Sequence, residues 1–482
     1  MSDTTASETR SAALRRELGH PVIDSDGHLV EIYAVFMEYV RDHGHGALLE
    51  GTLNRPRAIE DVPLDERRLG GVLPNSWHIP TSTEYYATVT SPARYYERLG
   101  EAGIDFMVLH PTFGNGMLSI PDPEKRVTLC RLYNEWIMED WGRYSDKFAP
   151  TLLVPMHTPE EAIAALEHNK ALGGKVGMMT SHVHRPTGTE TWPPDDEWAG
   201  VRIDQWETKG WVDTYGIDSL YDYDPVWAKA VELDMPMVAH TAGIGASDRA
   251  SISNFVFNQT GHFAAAGGAL AKSLFLGGVT DRFPELRIAL QEGGAAVGVQ
   301  TYVSLVSNWQ KRGGKAIAAL DPELMDKELL VKLLVEKDPR LAKYDPRQLA
   351  GQAAGSMTRV RDDFEAVNVH SVQDIHDRFI VPFAWGCEAD DPFTGLAFDP
   401  RITPDGSTVT AFFASDLGHW DVADFDEPLE EAFELVEHGL LTTEQLSEFV
   451  FGNPVRFYAS MNPAFFEGTS VEKDAAEVLG RG

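Results

Sequence analysis

In the stretch PVIDSDGHLVE, residues 21–31, a strand-like apolar start gives way to Asp24, Asp26 and His28 at every second position. Alternation along a strand puts all three on one face. Two carboxylates and an imidazole crowded there are tolerable only where a cation or a wide polar cavity receives them. Three more apolar runs end in residues of the same kind: MPMVAHTAG reaches His240, RIALQEGGA reaches Glu292 and AFFASDLGHWD reaches Asp416. Imidazoles mixed with carboxylates make a nitrogen–oxygen donor set suited to a divalent metal, Zn2+ first, with Fe2+ or Mn2+ as alternatives and calcium poorly matched. Such an ion, with one position open to water, generates a nucleophile near neutral pH and polarises a carbonyl. Asp416 or Glu292 then shuttles the proton to the leaving group.

These residues are far apart in sequence, so the fold has to bring them together. Short apolar strands alternate with helix-like segments: 22–26, 106–110, 149–155, 175–180, 235–240, 286–292, 379–385 and 411–416. Eight strands with crossovers predict an α/β fold of the (β/α)8 TIM-barrel type, in which the C-terminal strand ends converge on one basin. Asp26, His28, His240, Glu292 and Asp416 are then neighbours. Helical spacing marks the crossovers 159–172 and 225–233, Thr442 opens a capping box with Gln445, and Asn453-Pro454 reads as a helix start. The expected layout is a disordered tail over 1–18, one barrel over 19–465 and a C-terminal tail over 466–482. Long insertions interrupt the barrel at 44–100, 181–222 and 309–377. Those that follow strands overhang the basin, where substrate choice is made. The second holds His182, His184, Trp192, Trp198, Trp206 and Trp211, a lid or a small apolar cluster. The third is a charged helical segment, either a homodimer contact or a cover over the same barrel.

Taken in order, DSDGHLVE, YDYDPVWAKAVELDMPMVAH, GGVTDRFPELRIALQEGGA and SDLGHWD followed by FVFGNPVRFY resemble the amidohydrolase-2 family, metal-dependent barrel hydrolases that also include aminocarboxymuconate-type decarboxylases. The likeness runs from residue 21 to about 460. It implies that Asp26 and His28 are the first-strand ligand pair, His240 the fifth-strand ligand and Asp416 the eighth-strand acid, with His419 just beyond. Two departures stand out. The first pair is Asp-Gly-His where His-x-His is commoner. Strand six ends in Glu292 where the family's decarboxylases generally carry a histidine used as acid or base, which favours hydrolysis. Arg55 and Arg57 lie in the insertion where the family's substrate arginine belongs.

Other readings stay beside these. Asp416 can cap the following helix, and Glu292 can be ligand, base or salt-bridge partner. His110, at the end of strand two, is a substrate contact or a packed histidine, and His182 is read the same way. His419 is a pocket residue, Asp24 a structural acid, and Glu31 lies beyond the site. Composition narrows the function classes further. The 41 Lys and Arg against 74 Asp and Glu give a formal charge of −33, which argues against nucleic acid and anionic membranes as partners. Two cysteines, with no secretory signal and no run of about 20 apolar residues, fit a cytoplasmic protein. The expected function is hydrolysis of a small cyclic or aromatic substrate by metal-activated water. The alternatives are non-oxidative decarboxylation of an aromatic or unsaturated carboxylic acid, and a non-catalytic, metal-stabilised binding protein.

Overall fold

The computed structural model describes residues 8–49, 63–66, 80, 82–186, 210–240, 251–319, 321, 324–351, 362–420 and 422–480. Ten strands run through them: β1 (Ile23–Leu29), β2 (Phe106–Pro111), β3 (Phe148–Leu153), β4 (Val176–Met179), β5 (Val183–Pro186), β6 (Gly210–Asp213), β7 (Met237–Ala239), β8 (Ile288–Leu290), β9 (Phe383–Glu388) and β10 (Thr410–Ala414). Eight of them form one parallel sheet in the order β1-β2-β3-β4-β7-β8-β9-β10, and β5 and β6 make a separate antiparallel hairpin. The fold is a (β/α)8 barrel. The strands of the parallel sheet are short, buried but for Glu388 and Thr410, and rich in Val, Met, Leu, Ala and Phe, as expected where helices cover the outside.

The seam between β1 and β10 is closed by polar groups rather than by a regular ladder. The Asp416 amide donates to the Asp26 carbonyl (2.9 Å) and the His28 amide donates to the Leu417 carbonyl (2.7 Å). Asp24 clamps the same seam: its Oδ1 accepts from the Ser415 amide (3.0 Å) and its Oδ2 from the Ser415 hydroxyl (2.5 Å). Gly418, at φ 109°, lets the chain turn here, because a Cβ would stand 2.8 Å from the His28 carbonyl oxygen.

Several expectations are corrected in detail. The seventh barrel strand, β9, begins at Phe383 instead of 379, because 376–380 is a wide helical turn that buries Phe379 and Ile380. A short apolar run does not distinguish a buried strand from a buried helix end. The chain start is also more ordered than expected. Arg10–Leu18 is a helix capped by the Thr9 side chain, with Leu14 buried and Arg15 paired to Asp105. At the other end Phe466, Val471 and Ala475 are buried, and Glu472–Val478 is helical. Phe465 and Phe466 meet the ring of Phe106 edge-on at the foot of the barrel, so 466–480 is part of the packed molecule rather than a tail. The capping box at Thr442 and the helix from Asn453 are present. Arg55, Arg57, Trp192, Trp198 and Trp206 lie outside the described residues. Among the described residues, no helix is long and apolar enough to cross a membrane.

Candidate metal centre

β1 supplies the first donors, and a bulge decides which. Its register against β2 shifts by one residue between Asp24 and Gly27. The simple alternation therefore breaks, Asp24 turns to the seam, and Asp26 and His28 enter the basin. A Cβ on Gly27 would meet the Met107 sulfur at 2.4 Å and Asp24 Oδ2 at 2.8 Å, so a larger residue would displace the Asp24 carboxylate or Met107. His240 follows β7 directly, its amide donating to the Met179 carbonyl (3.0 Å). Glu292 and Asp416 follow β8 and β10 in left-handed backbone, at φ 56° and 52°. Asp tolerates that conformation better than most residues and Glu does not, and such outliers concentrate where a side chain must be aimed.

The side chains converge within a few ångströms. His28 Nε2 stands 3.3 Å from Asp26 Oδ1, 3.3 Å from Asp416 Oδ1 and 4.0 Å from Glu292 Oε1. His240 Nε2 is 3.2 Å from Glu292 Oε1 and 4.0 Å from Asp26 Oδ1. His419 Nδ1 is 2.6 Å from Asp416 Oδ1 and 4.0 Å from Glu292 Oε1. All six side chains are at most 3% exposed, although Glu292 as a whole residue is only half-buried. Two overlapping donor groups result: Asp26, His28, His240 and Glu292, and His28, Glu292, Asp416 and His419, each with its atoms within 4.8 Å of one another. Ligands on one ion with bonds near 2.0–2.2 Å are separated by about 3–4 Å, which is the spacing found.

The fit to a cation rests on Asp26. Its carboxylate is fully buried, and neither oxygen accepts a hydrogen bond among the described residues. A buried carboxylate in that condition is costly, and a divalent ion removes the cost. Burial pushes the Asp26 carboxyl above its usual range, partly offset by the charges of His110 and His240. Burial and the neighbouring His240 charge hold His28 well below the usual imidazole range, and His419 is lowered by burial and by His28. Neutral imidazoles are the form that binds metal.

Of the three substrate candidates, His110 and His419 join the cluster and His182 does not. His110 Nε2 lies 3.1 Å from the Ser25 carbonyl and 3.5 Å from Asp26 Oδ1, and Thr151 Oγ1 is 3.2 Å from His110 Nδ1. His182 packs edge-on against His184, ring centroids 5.1 Å apart, in the loop that leads into the β5–β6 hairpin. Sequence reasoning missed Gln291, whose amide nitrogen donates to the Ser25 carbonyl and lies 3.4 Å from His110 Nε2. It also missed Ser415 as the partner that turns Asp24 away. Glu31 lies apart, accepting from the Gly114 amide (2.7 Å) and the Tyr133 hydroxyl (2.6 Å). Beside Glu292 a cavity of about 200 Å³ is lined by Gln259, Phe263, Glu388 and Asp391 as well. Phe255, on the same short helix as Gln259, meets Trp420 at its edge, 5.4 Å between centroids.

The sequence profile of the amidohydrolase family matches residues 23–318. The chain belongs to the amidohydrolase family. No curated protein matches the sequence. Among solved structures, an amidohydrolase from Mycobacterium avium subsp. paratuberculosis K-10 is 16% identical, covers 91% of this chain and 99% of its own, and superposes with a TM-score of 0.52, which shows a shared fold. A dihydroxybenzoic acid decarboxylase from Polaromonas sp. JS666, solved with manganese and 2-nitroresorcinol, is 14% identical over 91% of this chain and 97% of its own, TM-score 0.49. A 5-carboxyvanillate decarboxylase from Novosphingobium aromaticivorans DSM 12444, complexed with manganese, is 15% identical over 92% and 97%, TM-score 0.46.

For this amidohydrolase the buried imidazoles set a pH dependence. Burial lowers His110 from 6.5 to about 3, and burial with the nearby His184 lowers His182 from 6.5 to about 4. A folded-state pKa below the unfolded one means that the unfolded chain takes up the proton first. The stabilisation is therefore complete above pH 6.5 and is lost as pH falls toward 4. NMR of the imidazole rings in chelator is expected to show neither His110 nor His182 protonated between pH 7.5 and 5, while overall stability changes less because burial raises Asp24 from 3.8 to about 7 and acts with the opposite sign. A ring that titrates near 6.5 contradicts neutral burial.

Proposed function

We propose that the protein is a metal-dependent hydrolase of a small cyclic or aromatic substrate that is neutral or cationic. One observation carries the reading: Glu292, aimed by its left-handed backbone, stands between the donor cluster, 3.2 Å from His240 Nε2, and the cavity of about 200 Å³ whose wall it forms. Asp26, His28, His240 and Asp416 would hold the ion, zinc by this donor set with iron or manganese next. Once bound, that ion supplies a lowered pKa for water and polarisation of a carbonyl. Glu292 takes the proton from the attacking water and returns it to the leaving oxygen or nitrogen, so that one acid and one alcohol or amine emerge per water consumed. His110 and Gln291 hold the Ser25 carbonyl beside Asp26 and so fix the floor of the site. Glu388 and Asp391 on the cavity wall repel an anionic substrate and favour a neutral or cationic one. His182 and His419 complete the proposed pocket.

The second reading is non-oxidative decarboxylation of an aromatic or unsaturated carboxylic acid, the activity named for two of the solved structures above. In it Glu292 in its acid form would protonate the carbon that loses CO2. A panel of lactones, aryl esters, cyclic amides and hydroxybenzoic acids, assayed with zinc- and with manganese-loaded enzyme in H2 18O, separates the two. Hydrolysis puts one solvent oxygen into the released acid. Release of CO2 with no solvent oxygen in the product overturns the proposal in favour of decarboxylation, and tight metal binding with no turnover of any class leaves a binding protein.

A further inference from the structure

Far from the barrel mouth in sequence, the helix Lys327–Lys337, KELLVKLLVEK, buries none of its 11 residues although six are Leu or Val. Leu329 and Leu333 are 48% and 52% exposed, and Leu324 in the turn before the helix is 70% exposed. Leu329 and Leu333, four residues apart, share one helical face, and Met325 just before the helix is 38% exposed. An apolar face of this kind on a folded protein marks a contact.

Charge decides what covers it. The whole chain carries −33, yet the stretch 309–344 has eight Lys and Arg against six Asp and Glu. Another copy of so acidic a protein is repelled almost everywhere, and least at this segment. An anionic membrane is repelled by the same excess. The helix is also complementary to itself when run antiparallel about a two-fold axis between Val331 and Lys332. That register sets Leu330 against Leu333 of the partner subunit and Leu329 against Leu334 of the partner subunit. It also brings Lys327 to Glu336 of the partner subunit and Asp326 to Lys337 of the partner subunit. Each pairing occurs twice, as in any isologous contact.

We propose that Lys327–Lys337 is the surface through which two copies of this chain associate, antiparallel across a two-fold axis. Sedimentation and light scattering on the full chain test it. The wild type is expected at twice 53.3 kDa, and the double variant Leu329→Glu with Leu333→Glu at 53.3 kDa, with unchanged circular dichroism and metal content. Lys327→Glu alone is expected to weaken the dimer several-fold, and adding Glu336→Lys to restore it. A wild type that stays at 53.3 kDa at tens of micromolar, or a dimer that survives the Leu329→Glu, Leu333→Glu change, overturns the proposal. So does a charge exchange that fails to restore association.

Discussion

Asp26→Asn is expected to weaken binding of the divalent ion at least about 100-fold and take turnover to background, while leaving the metal-free protein as stable as before or more so. The two halves of that expectation come from one physical fact. Asp26 is a fully buried carboxyl whose oxygens accept no hydrogen bond among the described residues, and burial raises its pKa. Its charge is a liability to the fold unless an ion lies beside it, so an amide of the same shape relieves the metal-free state. With an ion present the balance reverses, because the lost donor is an anion within 3.3 Å of His28 Nε2. Metal at 100 times its dissociation constant stabilises the native state by about 2.7 kcal/mol, and this increment disappears in the variant. Elemental analysis and urea unfolding, each with and without chelator, check both halves. Full metal content with unchanged affinity, or a metal-free variant much less stable than the metal-free wild type, would mark Asp26 as a structural acid instead.

Much of this centre was legible because barrel topology turns distant strand ends into neighbours. His240, Glu292 and Asp416 each close an apolar run, and a parallel barrel places every such end on one rim. What the sequence hid is set by contacts across the seam. Strict alternation puts Asp24 with Asp26 and His28, but the bulge before Gly27 turns it to Ser415, 391 positions away, where it accepts from both the amide and the hydroxyl. Burial then raises Asp24 from 3.8 to about 7, against the lowering by those hydrogen bonds. Nothing local announces the bulge, which shows only in the register against β2. Gln291 was invisible for a related reason: beside Glu292 it reads as a strand residue, and its role appears only when the Ser25 carbonyl and His110 are brought to it. The two chain ends were misjudged because their apolar content is slight, Leu14 beside Ala12 and Ala13 and Val471 between Ser470 and Glu472. The helix Arg10–Leu18 packs on the helix Pro428–Glu437 and Phe466 on Phe106, contacts that no local window contains.

Glu292→Gln is expected to lower kcat by about 10²–10⁴-fold with metal content unchanged, which separates a proton carrier from a ligand. Asp26, His28, His240 and Asp416 would provide two oxygens and two nitrogens and leave a fifth position for water. Glu292 differs from those four in its outlook. Its Oε1 is 3.2 Å from His240 Nε2 and 4.0 Å from His28 and His419, and its side chain also forms part of the cavity wall. A group that touches both the donor cluster and the space for substrate is placed to move a proton between them. Glutamine keeps the volume and the left-handed backbone but cannot take up a proton, so substrate binding persists and the chemical step slows. The acid limb of the pH–rate profile should vanish with it, since that limb reports the base. If the variant instead loses its metal in proportion to its activity, Glu292 belongs to the coordination sphere and the proton carrier must be sought at Asp416, 2.6 Å from His419.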